Sequence, residues 1–287
     1  MEASGFLSQL GESTTRLFRH LNPADHEAPR LRAIRKYSCG PFLFQCWAQA
    51  GLDYAIQATT RFESWETVQT GRSTGEWFDV VDSAAPGFPC RFYRIGVGGD
   101  CSQTIIGFVS VSLPPGHAMI ANPLAGSSDT VSTLLPQMPE GTQISRFDSL
   151  RYQLTENKVA SGRWLRPEER LDPGEGAIFF NPTSESMTRC FAGNVILGRR
   201  SVSIAAGFSI RSSILPLPGR LDTDLGFPVA TGDAVHVFDR ATQSYAIHEY
   251  GPEGWRTAPP VPNAGESFWV AKQSAATWTQ QLVLSES

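Results

Sequence analysis

The sequence predicts an all-β protein: a small β-sandwich module followed by an internally duplicated β domain with pseudo-two-fold symmetry, after a short N-terminal helix. Three observations carry this. A long stretch of the chain is written twice. Short segments alternate apolar and polar residues at period two, as half-buried strands do. The 287 residues include 26 glycines and 20 prolines, are 41% hydrophobic and 18% charged, and so describe a globular, turn-rich protein.

The repeat runs over 109–184 and again over 202–275. Val111–His117 answers Val202–Phe208, Phe147-Asp148 answers Phe238-Asp239, and Gly174-Glu175 answers Gly265-Glu266. Gly116 and Gly207, Asp148 and Asp239, Trp164 and Trp255, and Gly174 and Gly265 are all 91 positions apart. One offset shared by separated points means duplication, and the unit is too long for a solenoid repeat.

Taken in order, residues 1–36 form an N-terminal segment. Phe6, Leu10, Leu17 and Leu21 fall near one face of a helix over residues 1–22, which Pro23 ends. Residues 37–98 read as a compact module of short strands at Phe42–Trp47, Tyr54–Ala58, Trp65–Gln69, Glu76–Val80 and Arg91–Ile95, with glycines at the turns between them. Residues 99–287 hold the duplication. In each copy a strand ends at an Asp-containing turn (Thr142–Phe147 and Asp233–Phe238), and Tyr152 and Tyr245 open the returning strands. Continuous apolar strands follow at Ala177–Phe180 and Phe268–Ala271. Asp129–Leu135 and Asp222–Phe227, each followed by a proline, read as single helical turns.

Five cysteines lack zinc-ribbon spacing, and an odd count prevents complete pairing within one chain. Buried free thiols are the expectation, with a bridge from Cys39 or Cys46 to Cys90 as the alternative. A net charge of −4 makes no electrostatic case for nucleic acid. No apolar run has the length of a membrane span. The N-terminus shows no secretory leader pattern, an expectation of a cytoplasmic chain or of one that begins after a removed leader.

Gly51–Trp65, followed by Asp82 and Phe88–Arg94, resembles an immunoglobulin- or fibronectin-type-III-like module of the kind common in large secreted proteins of Verrucomicrobia and relatives. The duplicated part resembles a second module of such proteins, through Pro115-Gly116, Ile120–Leu124 and Leu171–Gly176 before an aromatic strand. The resemblance implies an extracellular or cell-surface setting and an accessory role.

Few residues read as chemistry. Gly71-Arg72-Ser73-Thr74-Gly75 matches the nucleophile-elbow string, yet it lies between strands and no helix follows. His236 and His248 fall on adjacent predicted strands. With Asp233 or Glu249 they are candidates to bind a divalent metal or to polarise a serine, with Ser209, Ser212 or Ser213 as nucleophile. Position 236 answers Ser145, so the histidine is not a requirement of the repeat. The carboxylate pairs Glu175/Glu266 and Asp148/Asp239 are related by the repeat and lie in turns. Asp222 and Asp224 are too sparse for a calcium loop. Trp164 and Trp255 are core residues or an aromatic platform for sugar rings.

No coherent catalytic constellation emerges and no cofactor is predicted. The reading is a non-catalytic binding or accessory module for a protein or glycan partner. The rival is a hydrolase of small esters, lactones or phosphate esters, with His236, His248 and Ser213 at its site in the duplicated domain.

Overall fold

A computed structural model describes residues 27–33 and 40–283. The helix expected over residues 1–22, and Cys39, lie outside them. The described chain is all-β. Its first strands are β1 (Arg30–Ala33), β2 (Phe42–Trp47), β3 (Asp53–Thr59), β4 (Glu66–Arg72), β5 (Phe78–Asp82), β6 (Cys90–Val97) and β7 (Asp100–Cys101). The first repeat with its flanking strands supplies β8 (Ile106–Leu113), β9 (Gly116–Ile120), one helical turn α1 (Val131–Leu134), β10 (Gln143–Asp148), β11 (Gln153–Ala160), β12 (Arg163–Trp164), β13 (Ala177–Asn181) and β14 (Met187–Asn194). The second supplies β15 (Gly198–Ile204), β16 (Gly207–Ser212), β17 (Ala234–Asp239), β18 (Ser244–Gly251), β19 (Gly254–Trp255), β20 (Ser267–Lys272) and β21 (Ala276–Leu282). Among the described residues no helix is long and apolar enough to cross a membrane.

Period-two patterning does what it predicts. β2 alternates buried and half-buried side chains along its length. Its Phe42 and Phe44 pack on Tyr93 of β6, with ring centroids 5.2 and 4.8 Å apart. A three-stranded sheet in the order β1-β2-β5 lies over a larger sheet in the order β14-β8-β6-β3-β4, with β7 on the end of β6. Phe42, Phe44, Ile56, Tyr93, Ile95 and Phe108 fill the space between them, each buried large apolar side chain stabilising by about 1.5–3 kcal/mol. The larger sheet takes strands from both sides of residue 98, because β6 pairs with β8 through Cys90↔Val109 to Tyr93↔Ile106.

The two repeats have the same topology. Five strands run β12-β11-β10-β13-β9 in the first and β19-β18-β17-β20-β16 in the second. The ribbon β8–β14 matches the ribbon β15–β21. The 91-residue offset carries β10, β11 and β12 onto β17, β18 and β19 without a gap. Both copies also keep the left-handed backbone positions Gly116/Gly207, Gly141/Gly232, Tyr152/Gln243 and Gly174/Gly265.

Contacts between the repeats are reciprocal, as a two-fold interface requires. Ala121 N–H donates to Gly265 O at 2.9 Å, and the equivalent Ser212 N–H donates to Gly174 O at 3.2 Å. Ile120 bridges to Glu266, and Arg211 to Glu175. Gly176 and Ser267 are equivalent positions and meet each other at the axis. A Cβ on Gly176 would sit 2.4 Å from that of Ser267, so glycine is what lets the backbones close.

Candidate functional site

The site is built from two hairpins. In the β10–β11 turn Asp148 accepts the Leu150 and Arg151 N–H groups at 2.9 and 3.0 Å. In the β17–β18 turn Asp239 accepts those of Ala241 and Thr242 at 2.8 and 3.3 Å. These backbone donors hold both carboxyls below the usual carboxylate range. The repeated aspartates are therefore turn-formers, which fix the register that sets Phe147 opposite Leu154 and Phe238 opposite Tyr245.

Directly opposed residues of an antiparallel pair share a face. His236 stands opposite Ile247 on one side and Trp269 on the other. Phe147 of the first repeat reaches across to Trp269 of the second, with centroids 4.9 Å apart, and Tyr152 lies 6.3 Å from Phe208. Phe208 in turn meets Trp269 at 6.2 Å and His236 at 5.8 Å. The Trp269 indole N–H donates to the Tyr245 hydroxyl at 3.2 Å. An aromatic cluster thus joins the repeats, rimmed by exposed side chains: Tyr152 at 61%, Leu154 at 47%, Tyr245 at 41% and Ile247 at 53%. Burial, followed by the charge of His248, pushes the His236 imidazole below its ordinary value.

The sequence-predicted residues go elsewhere, with the exception of His236. His248 stands opposite Val235, so the register turns it to the other face of the sheet from His236. Its Nδ1 lies 2.7 Å from Ala258 O and 3.2 Å from the Thr257 hydroxyl. Ser213 shapes a turn: its hydroxyl donates to Leu215 O and accepts from Leu215 N–H, each at 3.0 Å, and accepts from Gln280 at 2.9 Å. Ser212 donates to Glu175 O at 2.7 Å and ties the repeats together. Ser209 is buried, with no partner for its hydroxyl among the described residues. The two histidines and Ser213 do not converge. Ser73 donates to Ala48 O at 2.6 Å and accepts from Gly75 N–H, the work of a loop serine.

Trp164 is 6% exposed, and its indole N–H donates to Leu135 O at 2.8 Å. Trp255 is half-buried and donates to Asp222 at 2.9 Å. Trp164 is thus a core residue, and neither indole is a freely exposed platform. Glu175 pairs with Arg146 at 2.7 Å and Glu266 with Arg240 at 3.3 Å, each also receiving a turn N–H. Cys46, Cys90 and Cys101 are free thiols, so Cys46 and Cys90 are not bridged. Among the described residues no group of three or more His, Cys, Asp or Glu side chains is arranged to hold a metal ion.

Catalytic spacing gives no sign of this cluster, but the repeat carries its signal. At the 91-residue offset His117 becomes Phe208, Ser145 becomes His236, Leu154 becomes Tyr245, Glu156 becomes Ile247 and Ile178 becomes Trp269. All five substitutions fall on the same face of the second repeat's sheet. No protein-family model matches this chain, and no curated protein matches it.

Proposed function

We propose that the chain is a non-catalytic binding module, in the extracellular or cell-surface setting implied by its immunoglobulin-like resemblance, and that it holds a polypeptide partner against the aromatic junction. The observation that carries this reading is the set of five repeat departures toward larger side chains on one partly exposed face, four of them to ring side chains, against one change the other way, Phe180 to Ala271. A fold that only had to close did not need His236 or Ile247, since the first repeat closes the same topology with Ser145 and Glu156 there. Exposed aromatic and aliphatic side chains grouped on one face are the usual mark of an interaction surface. The rings meet edge to face, Phe147–Trp269 at 69° and Phe208–His236 at 81°. Such rings, mixed with Leu154 and Ile247, suit the irregular side chains of a polypeptide better than the flat face of a sugar.

The test is selection from a random peptide display library, with the Tyr245→Ser/Ile247→Ser double variant as comparison. Peptides rich in aromatic and aliphatic residues are expected to bind the natural chain. They should bind the variant at least tenfold more weakly, a loss of about 1.4 kcal/mol, while its melting is unchanged. Retention on cellulose, chitin or xylan through the same two residues would replace the peptide by a glycan. Ester, lactone or phosphotriester hydrolysis abolished by His236→Ala would overturn the binding reading in favour of the hydrolase.

A further inference from the structure

The larger sheet carries a second feature. On the outer face of β3, β4, β6 and β7 lies an open cavity of about 630 Å³, within the range of small-molecule sites. Its floor is made by small residues, Ala55 and Gly96, which stand opposite each other in the sheet. Tyr54, Thr70 and Cys101 line it, with Asp53, Arg72 and Asp100 also contributing. Arg94 of β6 also lines it.

Two arginines of β6 are buried to the same degree and treated differently. Arg91 is 4% exposed and has two carboxylates, Asp82 at 3.0 Å from its Nε and Glu66 at 2.6 Å from its Nη2. Arg94 is 5% exposed and forms no ion pair among the described residues. Its Nε donates to Gln57 Oε1 at 2.7 Å, and its guanidinium lies 4.3 Å over the Trp65 ring. Among the described residues its two Nη groups form no hydrogen bond, yet they are not among the fully sealed polar atoms. A guanidinium stays charged at any ordinary pH, and a buried charge is costly without an opposite one. Gln57 and Trp65 orient the fork and leave its Nη donors unspent in a residue that lines the cavity.

We propose that this cavity binds a small hydroxylated carboxylate of the uronic-acid class. The Arg94 fork takes the carboxylate through paired, charge-assisted hydrogen bonds. Asp53 and Asp100 then accept from the ligand's hydroxyl groups. The Arg72–Asp53 pair, 3.4 Å long and exposed on both sides, opens at little cost to admit them.

Calorimetric titration with glucuronate and galacturonate, against glucose and acetate, tests the proposal. Both uronates should bind at least about tenfold more tightly than either control, and Arg94→Met, which keeps an apolar stem of similar length, should weaken them by a similar factor. A second reading uses the natural chain: Cys101 lines the cavity, so its alkylation, followed by peptide mass spectrometry, should slow with uronate and not with glucose. Absence of both heat and Cys101 protection at saturating uronate would overturn the site, as would unchanged binding by a folded Arg94→Met. Inorganic phosphate or acetate binding as tightly as the uronates would overturn the role given to the ligand's hydroxyls.

Discussion

Trp164 and Trp255 occupy one repeat position and meet different surroundings. Trp164 is sealed in the first repeat's core with Val131, Leu135 and Leu171, and its N–H is spent on a backbone carbonyl. Trp255 lies half-open beside Tyr250, at 5.2 Å, and is tied to Asp222. Truncating a buried tryptophan costs about 3–5 kcal/mol. Trp164→Ala is therefore expected to melt far below the natural chain and Trp255→Ala by clearly less, as thermal denaturation will read. Equal shifts would mean that their burial is the same in solution. His236 supplies a pH test. Its imidazole is held below the ordinary 6.5, so the folded state favours the neutral ring. The unfolded chain takes the proton first as pH falls. The stability it contributes is complete above about 6.5 and is lost below, down through the lowered folded value. His236→Gln should reduce the drop in melting temperature between pH 7.5 and pH 5, compared with the natural chain; an identical drop would show that the ring titrates freely.

At the scale of elements, strands and turns were legible because side-chain period and turn chemistry are local. The strand expected at Phe42–Trp47 has those bounds, and the Asp turns close the hairpins where the alternation ends. The helical turn expected at Asp129–Leu135 forms as α1. Its counterpart at Asp222–Phe227 stays a turn, in which Asp224 and Leu225 N–H both donate to Arg220 O. The candidate site was less legible. Which strand face a histidine joins depends on pairing register, and a shift of one residue sends the side chain to the other side. His236 and His248 look like neighbours in sequence pattern and are separated by the sheet itself. The ribbons β8–β14 and β15–β21 show the same dependence. In the first, Phe108 is buried under the sandwich; its equivalent Arg199 is exposed, as is Arg200, because β15 has no partner beyond β21 among the described residues. Charged side chains on a free edge hinder strand addition. Arg199→Val/Arg200→Thr is expected to keep its secondary structure and to self-associate several-fold faster by light scattering. Unchanged solubility would show that the edge is guarded by something other than charge.

At the scale of the molecule, the duplication was readable from one offset, since it is written in the chain. Less readable was how the copies meet. The reciprocal bonds of Ala121 and Ser212, and the closure at Gly176, involve residues distant in sequence that only folding brings together. The aromatic junction follows from that closure, for Phe147 meets Trp269 across it. The proposed binding role requires the two repeats to present one face between them. Hydrogen–deuterium exchange with and without a selected peptide tests this most directly. Protection is expected on both hairpins together, over residues 143–160 and 234–251, with residues 40–98 unchanged. Protection confined to one hairpin, or to the sandwich, would contradict it.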